Sequence, residues 1–181
     1  MFLAMRALIT LMLLAALAAC GARGARGDAE AAEPAALTGR FNAESDTAIS
    51  LTGGVAIAHD GMTFDKGAML STRLAGVRHG WELISRNGDS YAGAAIGPGN
   101  MTVELRRISS SQALRGAPNL CGERTPSYVA IAYEAQRSNV TLLVFTGDEP
   151  PGADATRSTL CGVFGYSAPT GARTREGVVL Y

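Results

Sequence analysis

Met101-Thr102-Val103-Glu104-Leu105-Arg106-Arg107-Ile108 is the stretch on which the reading of this chain turns. Met101, Val103 and Leu105 alternate with Thr102, Glu104 and Arg106, a period of two that predicts a half-buried β-strand. The neighbouring sequence has the same grain. Tyr128–Glu134 and Val140–Thr146 are separated by Ala135–Asn139, which predicts a hairpin, and Val140, Thr141, Val144 and Phe145 supply the β-branched and aromatic residues that suit a pleated surface. Leu160–Tyr166 reads as a further strand, and Val178–Tyr181 closes the chain as another.

Working toward the amino end, short apolar segments alternate with Gly, Asn, Asp and Pro. Thr47–Leu51, Val55–Ala58, Met62–Phe64 and Ala68–Ala75 are expected strands, the last ending at Gly76. Trp81–Ser85 leads through Arg86-Asn87-Gly88-Asp89 into Ser90–Ile96, and the Asn-Gly pair is a strong hairpin signal because both residues tolerate positive φ. Ser109–Arg115 is the best helix candidate. The fold expected is mainly β, a small antiparallel barrel or sandwich of about 8–10 short strands with at most one short helix. An α+β fold with a helix within Ser109–Gly116 is the rival.

The amino terminus is of another kind. Arg6 precedes an apolar run, Ala7 to Ala19, that only Thr10 interrupts. A charged start, a short apolar stretch and small residues at its end describe a secretory signal peptide; the run is too short for a hydrocarbon core that needs roughly 20 residues. It ends Leu17-Ala18-Ala19-Cys20, followed by Gly21. This motif resembles the lipobox of bacterial lipoproteins. The resemblance covers the leader alone, and the mature domain resembles no family recognised from its residues. It implies a diacylglyceryl thioether on Cys20, cleavage between Ala19 and Cys20, and a lipid anchor in the cell envelope. Gly21, where Asp would favour inner-membrane retention, makes the outer membrane, facing the periplasm, the expected address. Two or more acyl chains anchor stably where one is marginal.

With Cys20 committed to lipid, Cys121 and Cys161 remain as the one intramolecular pair among the three cysteines. Export to an oxidising compartment favours a disulfide between them. The loop it would close, about 40 residues, corresponds to roughly 4 kcal/mol in the chain-entropy description. A redox-active pair would call for C-x-x-C spacing, which these cysteines lack. The organisation expected is therefore residues 1–19 as signal peptide, 20–37 as lipidated cysteine and flexible tether, and 38–181 as one β-rich domain. Residues 21–37 hold no aromatic or β-branched side chain, a composition that buries too little apolar surface to order itself.

Charge and motifs narrow the function classes. Sixteen basic and sixteen acidic residues cancel, and no basic cluster is larger than Arg106-Arg107, so a nucleic-acid footprint is not expected. No cofactor or metal motif stands out: H-E-x-x-H, the EF-hand loop and the P-loop do not occur. Nor does G-x-S-x-G. His59 and His79 are the two candidate bases for hydrolysis of envelope material, with Glu82, Asp89, Glu104, Glu123 and Glu134 scattered as acids. Trp81, the one tryptophan, is the candidate partner-binding residue, because aromatics dominate interfaces. The function expected is a membrane-anchored, non-enzymatic module that binds a protein, glycan or lipid partner of the envelope; hydrolysis through His59 or His79 is the alternative. Periplasmic lysozyme inhibitors, small disulfide-bearing barrels often carried on lipoproteins, are an architectural analogy only.

Overall fold

The computed structural model describes residues 36–114 and 116–169. Cys20, the leader and the expected strand at Val178–Tyr181 lie outside these residues. Eight strands close into an antiparallel barrel in which each strand pairs with its neighbours in sequence and β1 pairs with β8. They are β1 (Gly39–Ala43), β2 (Val55–Ile57), β3 (Gly61–Phe64), β4 (Ala68–His79), β5 (Thr102–Ala113), β6 (Tyr128–Tyr133), β7 (Asn139–Thr146) and β8 (Thr159–Ser167). The mainly β expectation holds, in its barrel form.

An eight-stranded barrel has an interior just wide enough for side chains to fill it or for one small ligand. Here side chains fill it. Phe41, Val55, Ile57, Phe64, Leu70, Val129, Ile131, Leu142, Val144, Phe164 and Tyr166 form one buried cluster. Each large apolar side chain so buried contributes about 1.5–3 kcal/mol relative to exposure. A second cluster lies on the outer face of β5, β6 and β7. Val103, Leu105, Ala130, Leu143 and Phe145 are covered there by Ile84, Tyr91, Ala92 and Met101 of the long β4–β5 connection.

The second cluster corrects the reading of Met101–Ile108. Val103 and Leu105 face outward and are fully buried beneath that connection, whereas Glu104 and Arg106 point into the barrel and are equally buried. From Val103 to Arg106 the strand is buried on both faces. Its alternation records two different environments rather than core and solvent.

Two short helices interrupt the strands, where the expectation was at most one and elsewhere. Thr47–Leu51, read as a strand, lies in α1 (Asp46–Leu51), whose N-cap Ser45 accepts a hydrogen bond from the Ala48 N–H at 3.2 Å. Asp46 sits in its first turn, where the helix dipole favours a carboxylate. The Asn87-Gly88 hairpin reduces to a single bridge, Leu83 to Ser90, and Ser90 instead caps α2 (Tyr91–Ala95) through its Oγ. In both cases a serine cap outweighed local strand propensity. Conversely, the helix candidate beginning at Ser109 is the last part of β5, which is held in register by β4, for example Ser110 opposite Ser71. β4 itself runs past Gly76 to His79, because a bulge between Leu74 and Gly76 absorbs the extra residue.

Cys121 and Cys161 are disulfide-bonded, with Cα atoms 5.1 Å apart. Cys161 lies on β8, as the sequence suggested. Cys121 lies in the connection between β5 and β6 rather than on a strand, and with Leu120 it packs on the barrel core.

Candidate functional site

In an up-and-down barrel, alternate connections share an end. Residue 36, the β2–β3 turn, the β4–β5 connection and the β6–β7 hairpin therefore meet at one end, and α1 and the β3–β4, β5–β6 and β7–β8 connections at the other. At the first end Leu37 turns into the barrel and is fully buried. Its backbone groups would be orphaned there without partners. Glu104 Oε1 accepts the Leu37 N–H at 2.6 Å, and Arg106 donates to the Leu37 carbonyl at 3.2 Å. The guanidinium also pairs with Glu104 Oε2 at 2.8 Å and donates to the Ala58 carbonyl at 2.6 Å. The Tyr133 hydroxyl donates to Glu104 Oε1 at 2.8 Å. Burial, and after it the charge of Glu104, push the Tyr133 phenol well above its ordinary range. Every one of these partners serves to close the barrel around Leu37.

Sequence reasoning missed this cluster. The signal was present, since opposite charges two residues apart on a strand share a face, but nothing in the pattern said that this face pointed inward. Tyr166, at its own place in the interior, shares a hydrogen bond with Thr52 Oγ1 at 2.8 Å. Burial raises its phenol too, and the Thr52 contact opposes the rise.

Trp81 stands on the outside at the same end. It stands two residues after the end of β4, is 66% exposed, and stacks on the His79 imidazole with ring centroids 5.5 Å apart and planes 9° from parallel. Glu82 fixes the turn beneath the pair. It accepts the His79 N–H at 2.7 Å and approaches Arg78 at 3.7 Å. The strand that leads to the pair ends level with the β6–β7 hairpin, since His79 lies opposite Thr102 and Thr102 opposite Tyr133. β3 pairs with β4 only as far as Ser71, so Thr72–His79 continue against β5 alone.

His59 lies exposed in the β2–β3 turn, level with Thr72, whose N–H donates to the Asp60 carbonyl at 2.7 Å. About 25 Å of strand separates Thr72 from His79. The two histidines thus belong to different places. The carboxylate nearest His79 in sequence, that of Glu82, is engaged with a backbone amide and a guanidinium. Among the described residues, no group of three or more His, Cys, Asp or Glu is placed to hold a metal ion. A shallow groove over the outer faces of β2, β3 and β4, bordered by Asp60, Thr63, Met69 and Gln112, contains neither histidine.

The chain matches no protein-family model, no curated protein and no solved structure. The residues themselves therefore carry the functional argument.

Proposed function

We propose that this chain is the precursor of an envelope lipoprotein, lipidated on Cys20, whose barrel is a non-enzymatic binding module that meets its partner at the end bearing His79 and Trp81. The single observation behind the binding role is the contrast between inside and outside. The interior is occupied by side chains and by the Leu37–Glu104–Arg106 cluster, whereas an aromatic pair stands solvent-exposed at the rim. Exposed aromatic side chains make effective contact anchors, because they bury much area for little loss of conformational freedom. The lipidation and the outer-membrane address rest on Leu17-Ala18-Ala19-Cys20 and Gly21.

The test is photo-crosslinking in living cells. A photoreactive residue at Val77, near the rim, is compared with one at Met69 near the other end of the same strand, each in the full-length chain with and without Cys20→Ala. One class of adduct, protein, glycan or lipid, from Val77 in the lipidated form alone is the expected result. Equal adducts from both positions, or none from Val77, would refute the assigned surface. A Cys20 that carries no lipid would refute the anchor.

A further inference from the structure

We infer that the rim formed by the start of the β4–β5 connection, with Trp81 on it, docks on the phospholipid surface to which the chain's own amino-terminal lipid ties it. The inference rests on the lipoprotein reading of Cys20 and names the partner class for the surface assigned above.

Three observations converge. First, the β4–β5 connection and the chain entry share an end of the barrel, where Leu37 is held by Glu104 and Arg106. Residues 20–35 span at most about 55 Å even when fully extended. On that reading this end lies within that distance of the head groups, and a linkage of that length supplies an effective concentration of the order of mM, so a weak contact suffices.

Second, the exposed apolar side chains gather there. Eight large hydrophobic residues are exposed among those described; Trp81, Leu83 and Ile96 belong to the β4–β5 connection, while Leu74 and Val77 lie on β4 beyond Ser71, on the face shared with Arg106 and Glu104. Ile96 is 93% exposed and sits four residues after Ala92, whose N–H donates to the Gly80 carbonyl at 2.7 Å, next to Trp81. Third, the chemistry suits the layer between water and hydrocarbon. Indole combines an apolar body with a polar N–H and favours the head-group level. Arg73 on β4 can meet an anionic head group, while Arg78 and Glu82 pair with each other and Glu82 also holds the His79 amide.

Trp81 is the only tryptophan, so the protein carries its own probe. The full-length chain, processed and lipidated in a bacterial host, is reconstituted into phosphatidylethanolamine–phosphatidylglycerol vesicles, with ordinary or brominated acyl chains. The expected result is a blue-shifted emission that loses most of its intensity in the brominated vesicles. A Trp81→Phe, Leu114→Trp chain, which moves the indole to an exposed site at the opposite end, should keep its emission. Flotation with unquenched Trp81, or equal quenching at both positions, overturns the docking and leaves the anchor standing. Failure to float, with Cys20 unmodified by mass spectrometry, removes the lipoprotein reading and the docking together. Recovery of a protein crosslinked at the rim, with Trp81 unquenched, hands the surface to a protein partner.

Discussion

Leu37 and Glu104 lie 67 residues apart in sequence and are joined inside the barrel by a 2.6 Å hydrogen bond from the Leu37 N–H to the Glu104 carboxylate. The same carboxylate receives the Tyr133 hydroxyl and pairs with Arg106. A single acidic side chain thus ties the entering segment, β5 and β6 together. The surrounding core is apolar, so each link is costly to break and none is screened by solvent.

Glu104→Ala removes one partner of a buried ion pair and leaves the Arg106 guanidinium uncompensated. We expect a loss of about 3–5 kcal/mol in urea unfolding. The double replacement Glu104→Leu, Arg106→Met should recover much of that loss, since well-packed apolar residues often equal a buried pair. If the double variant is no more stable than Glu104→Ala alone, the cost does not come from the stranded charge.

Reduction of Cys121–Cys161, or replacement of both cysteines by Ser, should lower stability by about 2–4 kcal/mol, because the bond closes a long loop in the unfolded chain. Coincident thermal transitions for the reduced and oxidised barrel would contradict this.

Tyr91 provides a pH prediction. Burial pushes its phenol up to about 12 from an ordinary 10.0, against the pull of the nearby Arg78; Tyr133 and Tyr166 are raised in the same sense, chiefly by burial. The unfolded chain then releases these protons first. Stability is complete below pH 10 and falls as the pH rises from about 10 through 12. Phenolate absorbance should show late, cooperative ionisation coincident with loss of near-ultraviolet dichroism. Early ionisation of the three with the fold intact would oppose it.

Gly147 follows β7 with φ at +117°, and a Cβ there would meet the Arg157 carbonyl across the β7–β8 connection. Gly147→Ala should cost about 1–3 kcal/mol. It should also disturb the nearby loop, in which the Thr156 and Arg157 amides hold the Glu149 carboxyl below its usual range. Gly152→Ala, with open space around it, is the control and should be nearly neutral.

The parts of the fold that could be read from sequence were those set by local pattern. β5, the β6–β7 hairpin and β8 follow alternation and turn chemistry, and Cys121 and Cys161 found each other once Cys20 was set aside. The parts that could not were decided by tertiary context. Whether Glu104 or Val103 faces inward depends on the connection that covers the outer wall, and that connection is itself a run of turns and α2. The caps Ser45 and Ser90 were visible as residues, but each stood beside segments equally suited to a strand. Trp81 was singled out from its chemistry alone. Its stacking on His79, and its place at the rim beyond the pairing of β3, are products of strand length and register around the closed sheet.

The seating of Leu37 has a mechanical meaning. The segment that enters β1 is keyed into the barrel by its own backbone, between a carboxylate and a guanidinium on β5. Tension applied through the amino end loads those hydrogen bonds directly, and a chain trimmed past this point would expose a buried ionic pair at an open mouth. A shortened chain intended to retain the native barrel should therefore begin ahead of residue 36, not at the first strand.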